Sequence, residues 1–136
     1  MCYGTAVAHD PGGGRERCVT RDVEVSAVRD LLDHPPRATV AFVEGETVAL
    51  LPARARHSAG VYQFGIPAGR AVGLDTREVV LVIDDGSYWF ELRGVSVRGV
   101  AARIEPPEDG ATERLEWYAI APRRVLAWDY AAIREA

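Results

Sequence analysis

The sequence predicts a mainly-β domain, an antiparallel barrel or sandwich of about six strands led by one helix. Three observations carry that prediction. From residue 38 onward, apolar residues recur with a period near two, in short runs. Turn-forming clusters separate the runs, at Glu44-Gly45-Glu46, His57-Ser58-Ala59-Gly60 and Asp84-Asp85-Gly86. No strand–helix–strand rhythm is present, which argues against a doubly wound parallel sheet.

Residues 1–19 place Gly12, Gly13 and Gly14 beside Pro11 and show no periodicity, so they are expected to form a flexible arm. Residues 20–136 then make a single domain. In 21–33, Val25, Val28, Leu31 and Leu32 fall at helical spacing. Thr20 or Asp22 is placed to cap that helix, Asp22 and Glu24 suit its positive end, and Pro35 and Pro36 stop it. Ala38 to Val43 and Thr47 to Arg56 form a hairpin, and Val61 to Ile66 a third strand. Residues 67–77, with Pro67, Gly69 and Gly73, read as a loop with room for one helical turn. Val79 to Ile83 is a fourth strand, and Asp85-Gly86 a strong hairpin signal because it suits positive φ. Residues 87–105 read as one long strand bent or bulged at Gly94 and Gly99. Residues 106–116 suggest a connector with a short helix. Trp117 to Ala121 and Arg124 to Tyr130 form the last strand or strands, broken at Pro122.

Composition narrows the partners. A chain of 136 residues is one domain's worth and can bury an adequate core. The net charge of −4 argues against non-specific binding to nucleic acid or an anionic membrane. All 16 basic residues are arginine, so any anion site must use guanidinium, which grips phosphate with two parallel hydrogen bonds. Cys2 and Cys18 make neither a disulfide framework nor a zinc site. No apolar run is long enough for a transmembrane helix, and no secretory signal is visible. The expected setting is a reducing cytoplasm.

Three segments are candidates for chemistry. In Leu50-Leu51-Pro52-Ala53-Arg54-Ala55-Arg56 alternation puts Arg54 and Arg56 on one face and Leu51, Ala53 and Ala55 on the other. The arginines either hold an anion or stand in solvent as charges on an edge strand. Gly69 and Arg70 follow the third strand, where backbone N–H groups and a guanidinium can cradle phosphate; an ordinary surface loop is the alternative. Ser96 and Arg98 share a face between Gly94 and Gly99, where Arg98 reaches either a ligand, a partner subunit or solvent. His9, His34 and His57 lie in or beside loops, and none has a metal-spaced partner, so no metal is expected. Asp84 and Asp85 read as turn formers, not an acid–base pair. No nucleophile motif or placed general base is visible, and no catalytic residue is assigned.

Three segments in order carry a family resemblance: Thr39-Val-Ala-Phe-Val-Glu-Gly-Glu-Thr-Val-Ala-Leu-Leu-Pro52; then Gly60-Val-Tyr-Gln-Phe with Gly69-Arg70-Ala71, Leu74 and Glu78-Val-Val-Leu-Val; then Trp89-Phe-Glu-Leu-Arg-Gly-Val-Ser-Val-Arg-Gly99 with Pro122-Arg-Arg-Val and Trp128-Asp129. Together these resemble the pyridoxamine-phosphate-oxidase-like flavin-binding family over about residues 22–130. The resemblance implies a six-stranded antiparallel split β-barrel of Greek-key type that dimerises, with flavin mononucleotide in clefts between subunits. It implies a phosphate contact at Arg70, though arginine replaces the usual lysine. Further contacts are implied from the strand holding Pro52, Ala53, Arg54 and Arg56, with Gly69, Ser96, Arg98 and Trp128 completing the cofactor set. The chain is shorter than the vitamin B6 oxidases and lacks their C-terminal arginine and histidine pattern for pyridoxamine phosphate.

The expected function is hydride transfer at a flavin on a small molecule, with backbone N–H groups near Ala53 to Ala55 against the ring and Arg98 or Arg124 orienting an anionic substrate. A deazaflavin F420 reductase, a flavin- or haem-binding protein without turnover, and a cofactor-free interaction dimer are the alternatives.

Overall fold

The computed structural model describes residues 22–69, 73–107 and 114–130. The expected arm at 1–19, the Thr20 cap, Arg70, and most of the connecting helix lie outside them.

Seven antiparallel strands make the sheet: β1 (Asp22–Val23), β2 (Arg37–Glu44), β3 (Thr47–Ser58), β4 (Val61–Pro67), β5 (Glu78–Asp85), β6 (Arg93–Ile104) and β7 (Leu115–Asp129). They lie in the order β1-β7-β4-β3-β2-β5-β6, and β6 returns to pair with β7. The sheet is therefore a closed six-stranded antiparallel barrel with β1 as an extra strand, as the sequence predicts. Closure pairs most of the sheet edge, whose exposure is the usual hazard of a small β protein.

Alternation fills the interior. Val40, Phe42, Phe64, Ile66, Leu81, Ile83, Val95, Val97 and Tyr118 point inward and are almost fully buried. The leading helix plugs one end. It is α1 (Arg29–Asp33), entered through a 3-10 turn at Val25–Val28, and it buries Val28, Leu31 and Leu32 against the barrel. Asp30 at its start accepts two hydrogen bonds from Arg93 on β6, at 3.0 and 2.6 Å, and Arg93 reaches Asp85 at 3.2 Å. A forked guanidinium thus ties the plug to the rim of the barrel.

Four sequence expectations change. The helix does not start at residue 21: Asp22 and Val23 pair with Trp128 and Ala127 as a strand, and Glu24 caps the 3-10 turn without a side-chain hydrogen bond. Sheet pairing outweighs local helical spacing there. Residues 87–92 are not strand: a 3-10 turn at Trp89–Glu91 separates β5 from β6, held as Glu91 bonds back toward Ser87 and Tyr88. Asp-Gly is consequently not a two-residue hairpin; Gly86, at φ 102°, begins a longer connection. The last segment is one strand, and Pro122 sits at a register shift opposite Gly99.

Of the two suspected bulges, Gly99 marks a real one. A Cβ there would run into the Ala121 carbonyl, so only glycine allows β7 to pass. Gly94 breaks no register; it lies beneath the Trp128 indole. Gly65 likewise lies beneath Trp117, whose ring atoms stand 2.8–3.0 Å from where a Cβ would be. Both tryptophans pack flat across a cross-strand glycine.

Two outcomes follow. Gly65→Ala should destabilise the fold by about 1–3 kcal/mol through overpacking, and by less when Trp117→Leu is already present; a double-mutant cycle by urea unfolding reads this, and additive losses would contradict it. The hydrogen bond from Arg93 holds the Asp30 carboxyl below the usual carboxylate range. Its contribution is therefore present above the unfolded pKa of about 3.9 and fades as pH falls through the folded value. Asp30→Asn should lower stability at neutral pH and converge with the parent as acid titrates the carboxyl; a gap that does not narrow at all with falling pH would contradict this.

Candidate functional site

The site is built on the outer face of the barrel, because the inner positions are spent on the core. Along β3, Val48, Leu50, Pro52 and Arg54 are exposed and Arg56 half-buried, while Leu51 and Ala53 turn inward and Ala55 is buried in the core. The face division expected from alternation holds. The edge-strand alternative does not: β3 has β2 on one side and β4 on the other. Ala55 packs in the core and Ala53 lies half-buried against it, so enlarging Ala55 would strain the core.

β3 changes partner midway. Thr47 to Ala53 pair with β2, whereas the ladder with β4 begins at Arg54 and runs to Ser58. Along Thr47–Ala53, the edge facing β4 thus has no ladder partner among the described residues. Backbone groups there need partners of another kind. Arg54, opposite Gly65, and Arg56, opposite Gln63, stand next to that open edge. Beyond the end of β4, Gly69 takes φ 88° with nothing within 4 Å of its Cβ position.

A second cluster lies on β6 and β7. Ser96 is opposite Val82 and Leu126, Arg98 opposite Val80 and Arg124, and Trp128 opposite Gly94. Around the closed barrel, β2 and β5 lie between β3 and β6 on one side, and β4 lies between β3 and β7 on the other. The structure brings together Pro52, Arg54 and Arg56, and separately Ser96, Arg98 and Trp128, but does not unite the two sets.

Between them runs a groove of about 610 Å³, lined by Ala41, Val43, Val48 and Val80 with Arg77, Glu78 and Arg98 at its margin. Val43 and Val48 are 55% and 68% exposed, which is unusual for valines on neighbouring strands. Arg77 donates to the Val43 carbonyl and lies 5.9 Å from the Phe42 ring centre, fixing one wall. Glu78 pairs with Arg123 at 2.8 Å and lies 3.7 Å from Arg98.

Sequence reasoning passed over Glu78, Arg123 and the groove valines. Pro122 inside a strand was the available signal for the bulge that turns Arg123 toward Glu78. The near-continuous apolar runs Val40–Val43 and Val48–Leu51 were the signal that these strands carry apolar residues on both faces.

The described histidines and the Asp84–Asp85 pair are engaged or solvent-facing. His57 packs on Tyr62 with ring centres 4.7 Å apart, and His34 is exposed. Asp84 is held by Arg37, while Asp85 accepts from the Gly86 N–H at 2.8 Å and from Arg93, so both serve the turn. Among the described residues, no group of three His, Cys, Asp or Glu side chains could hold a metal, and no helix is long and apolar enough to cross a membrane.

The sequence matches no protein-family model and no curated protein. Solved structures do match. The FAD-binding protein from Mycobacterium smegmatis superposes with a TM-score of 0.61 at 18% identity, covering 78% of this chain and 94% of that one. The FAD- and haem-binding protein from the same organism gives 0.61 at 14% identity, over 80% and 73% of the two chains. A candidate pyridoxamine 5'-phosphate oxidase from Corynebacterium glutamicum gives 0.57 at 15% identity, over 77% and 92%. At such identities the likeness is one of fold, and the fold this chain shares with these proteins is the split β-barrel of flavin-binding and pyridoxamine-phosphate-oxidase-like structures.

Proposed function

We propose that this chain is a flavin-dependent oxidoreductase that works as a homodimer, with one flavin in each of two clefts between subunits. The observation that carries the reading is the open backbone edge of β3 at Thr47–Ala53, flanked by the outward pair Arg54 and Arg56 and by Gly69, in a fold shared with flavin-binding proteins. A flat heterocycle with hydrogen-bonding edges and a phosphate tail suits that donor set. The backbone groups meet the ring, and the guanidiniums grip the phosphate in bidentate fashion. Arg70 would add a third cation. When bound, a flavin supplies two-electron transfer; the protein supplies position and electrostatics.

The residues fit the cofactor only across two copies. Ser96, Arg98 and Trp128 lie on β6 and β7, which do not pair with β3, and this supports a reading in which they complete the cleft of the partner rather than their own. The apolar outer positions Leu50 and Val100, away from the groove, supply surface for such an association. In this reading the protein's part in the reaction is to orient and to exclude water, and selectivity rests on the shape of the cleft. FMN, with a single phosphate, is the flavin the arginine pair favours; F420 offers a comparable phosphate and remains the nearest variant.

The assembly is checked by light scattering coupled to gel filtration, which should give a dimer at micromolar concentration; a monomer would remove the shared clefts. Cofactor choice is checked by titrating FMN, FAD and riboflavin, following the visible absorption. Arg54→Ala should weaken FMN by about 1.5–3 kcal/mol, the worth of a charge-assisted hydrogen bond, and leave riboflavin nearly unchanged. Equal losses for both ligands would show that Arg54 acts on the fold or ring and not on phosphate. Replacing His57 should leave turnover with a suitable donor within a few-fold of the parent; a complete loss with flavin still bound would mean that a general acid operates there.

A further inference from the structure

We propose that the outer face at the β6–β7 bulge binds an organic anion with an apolar body, its charged group on Arg98, Arg123 and Arg124 and its body in the adjoining groove. This rests on the oxidoreductase reading and deepens it, for such a molecule is the substrate class the site selects. Its first support is an electrostatic imbalance. Arg98 and Arg124 are direct partners in the antiparallel ladder, where side chains stand closest and like charges repel. The bulge adds an extra residue on β7, Arg123, whose Nη2 lies 2.8 Å from Glu78 Oε1, while Arg98 Nε lies 3.7 Å from the same oxygen. Two guanidiniums thus share one carboxylate, and Arg124 is the ladder partner of one of them, in a chain whose net charge is negative.

The second support is that the backbone is built to hold this arrangement. Gly99 cannot be replaced without meeting the Ala121 carbonyl, so the register shift that delivers Arg123 is fixed by close packing. The third is continuity with the groove. Arg98 and Glu78 form its margin, and its floor is Ala41, Val43 and Val80. Its volume of about 610 Å³ lies within the range of small-molecule sites. Apolar floor and cationic rim together fit one headgroup, such as a carboxylate, sulfonate or phosphate, on a flat hydrocarbon body. Bound there, the anion would relieve the Arg98–Arg124 repulsion, and Glu78 would compete with it for the arginines.

Two probes separate charge from apolar contact: 8-anilinonaphthalene-1-sulfonate and its uncharged analogue N-phenyl-1-naphthylamine, titrated by fluorescence into the full-length protein. The double substitution Arg98→Gln and Arg123→Gln should weaken the sulfonate probe by about tenfold or more, as loss of charge-assisted hydrogen bonds implies, and leave the neutral probe within about twofold. Glu78→Gln should tighten the sulfonate probe by about threefold, the scale of an exposed ion pair; a merely structural role for Glu78 would not improve binding. Sulfonate binding indifferent to the arginines, or weakened by Glu78→Gln, would overturn the proposal. So would probe uptake confined to the monomer, which would mean that a second copy covers the groove. Arg54→Ala keeps the two readings apart: loss of flavin with probe binding intact supports both, whereas a protein that takes no flavin but reproduces the probe pattern retains the anion site and loses the oxidoreductase reading.

Discussion

The structure depends on two strands that change neighbours partway along. β3 leaves β2 and joins β4 at Arg54, and β7 serves β4 over its first half, β6 along nearly its whole length and β1 at its end. These changes let six strands of 7 to 15 residues close into a barrel. They also leave the stretch of β3 at Thr47–Ala53 with a ladder on one side only among the described residues. Fold and candidate site therefore share one cause: the split that closes the barrel is what opens the backbone beside Arg54.

Close approach imposes a second requirement, met by glycine. Where β6 and β7 pass each other, Gly99 admits the Ala121 carbonyl and Gly94 admits the Trp128 indole. Gly65 does the same for Trp117, which is only 2% exposed. The indoles cover backbone that has no side chain of its own. This gives Trp117 and Trp128 structural work independent of any ligand, and sets Trp128 half-buried at the margin of the β6–β7 cluster.

The strands were largely legible because each buries one face, so Val40, Phe42, Leu81 and Ile83 recur with period two. The faces of Arg54 and Arg56, and of Ser96 and Arg98, followed from the same alternation. What alternation cannot carry is the identity of a strand's neighbours. That β3 is an inner strand, that Asp22 and Val23 prefer pairing with β7 over helix, and that Ser96 and Arg54 lie on separate walls are all tertiary facts. The Trp89–Glu91 turn was missed because its aromatics read as strand formers; Glu91 bonding back to Ser87 and Tyr88 decides against them. Arg123 became visible only once the bulge fixed its direction.

The central claim is that a cofactor site is made from β3 of one copy and β6–β7 of another. Mixed dimers test it most directly. Arg54→Ala disables the β3 half, and Ser96→Tyr obstructs the β6 half; each variant alone should hold little flavin. Unfolding the two together, refolding them as a mixture and measuring bound flavin by visible absorption should recover about one site in four, since half of the random dimers are mixed and each carries one intact cleft. No recovery from two variants that each fold and dimerise would contradict the shared cleft and confine any flavin to a single chain.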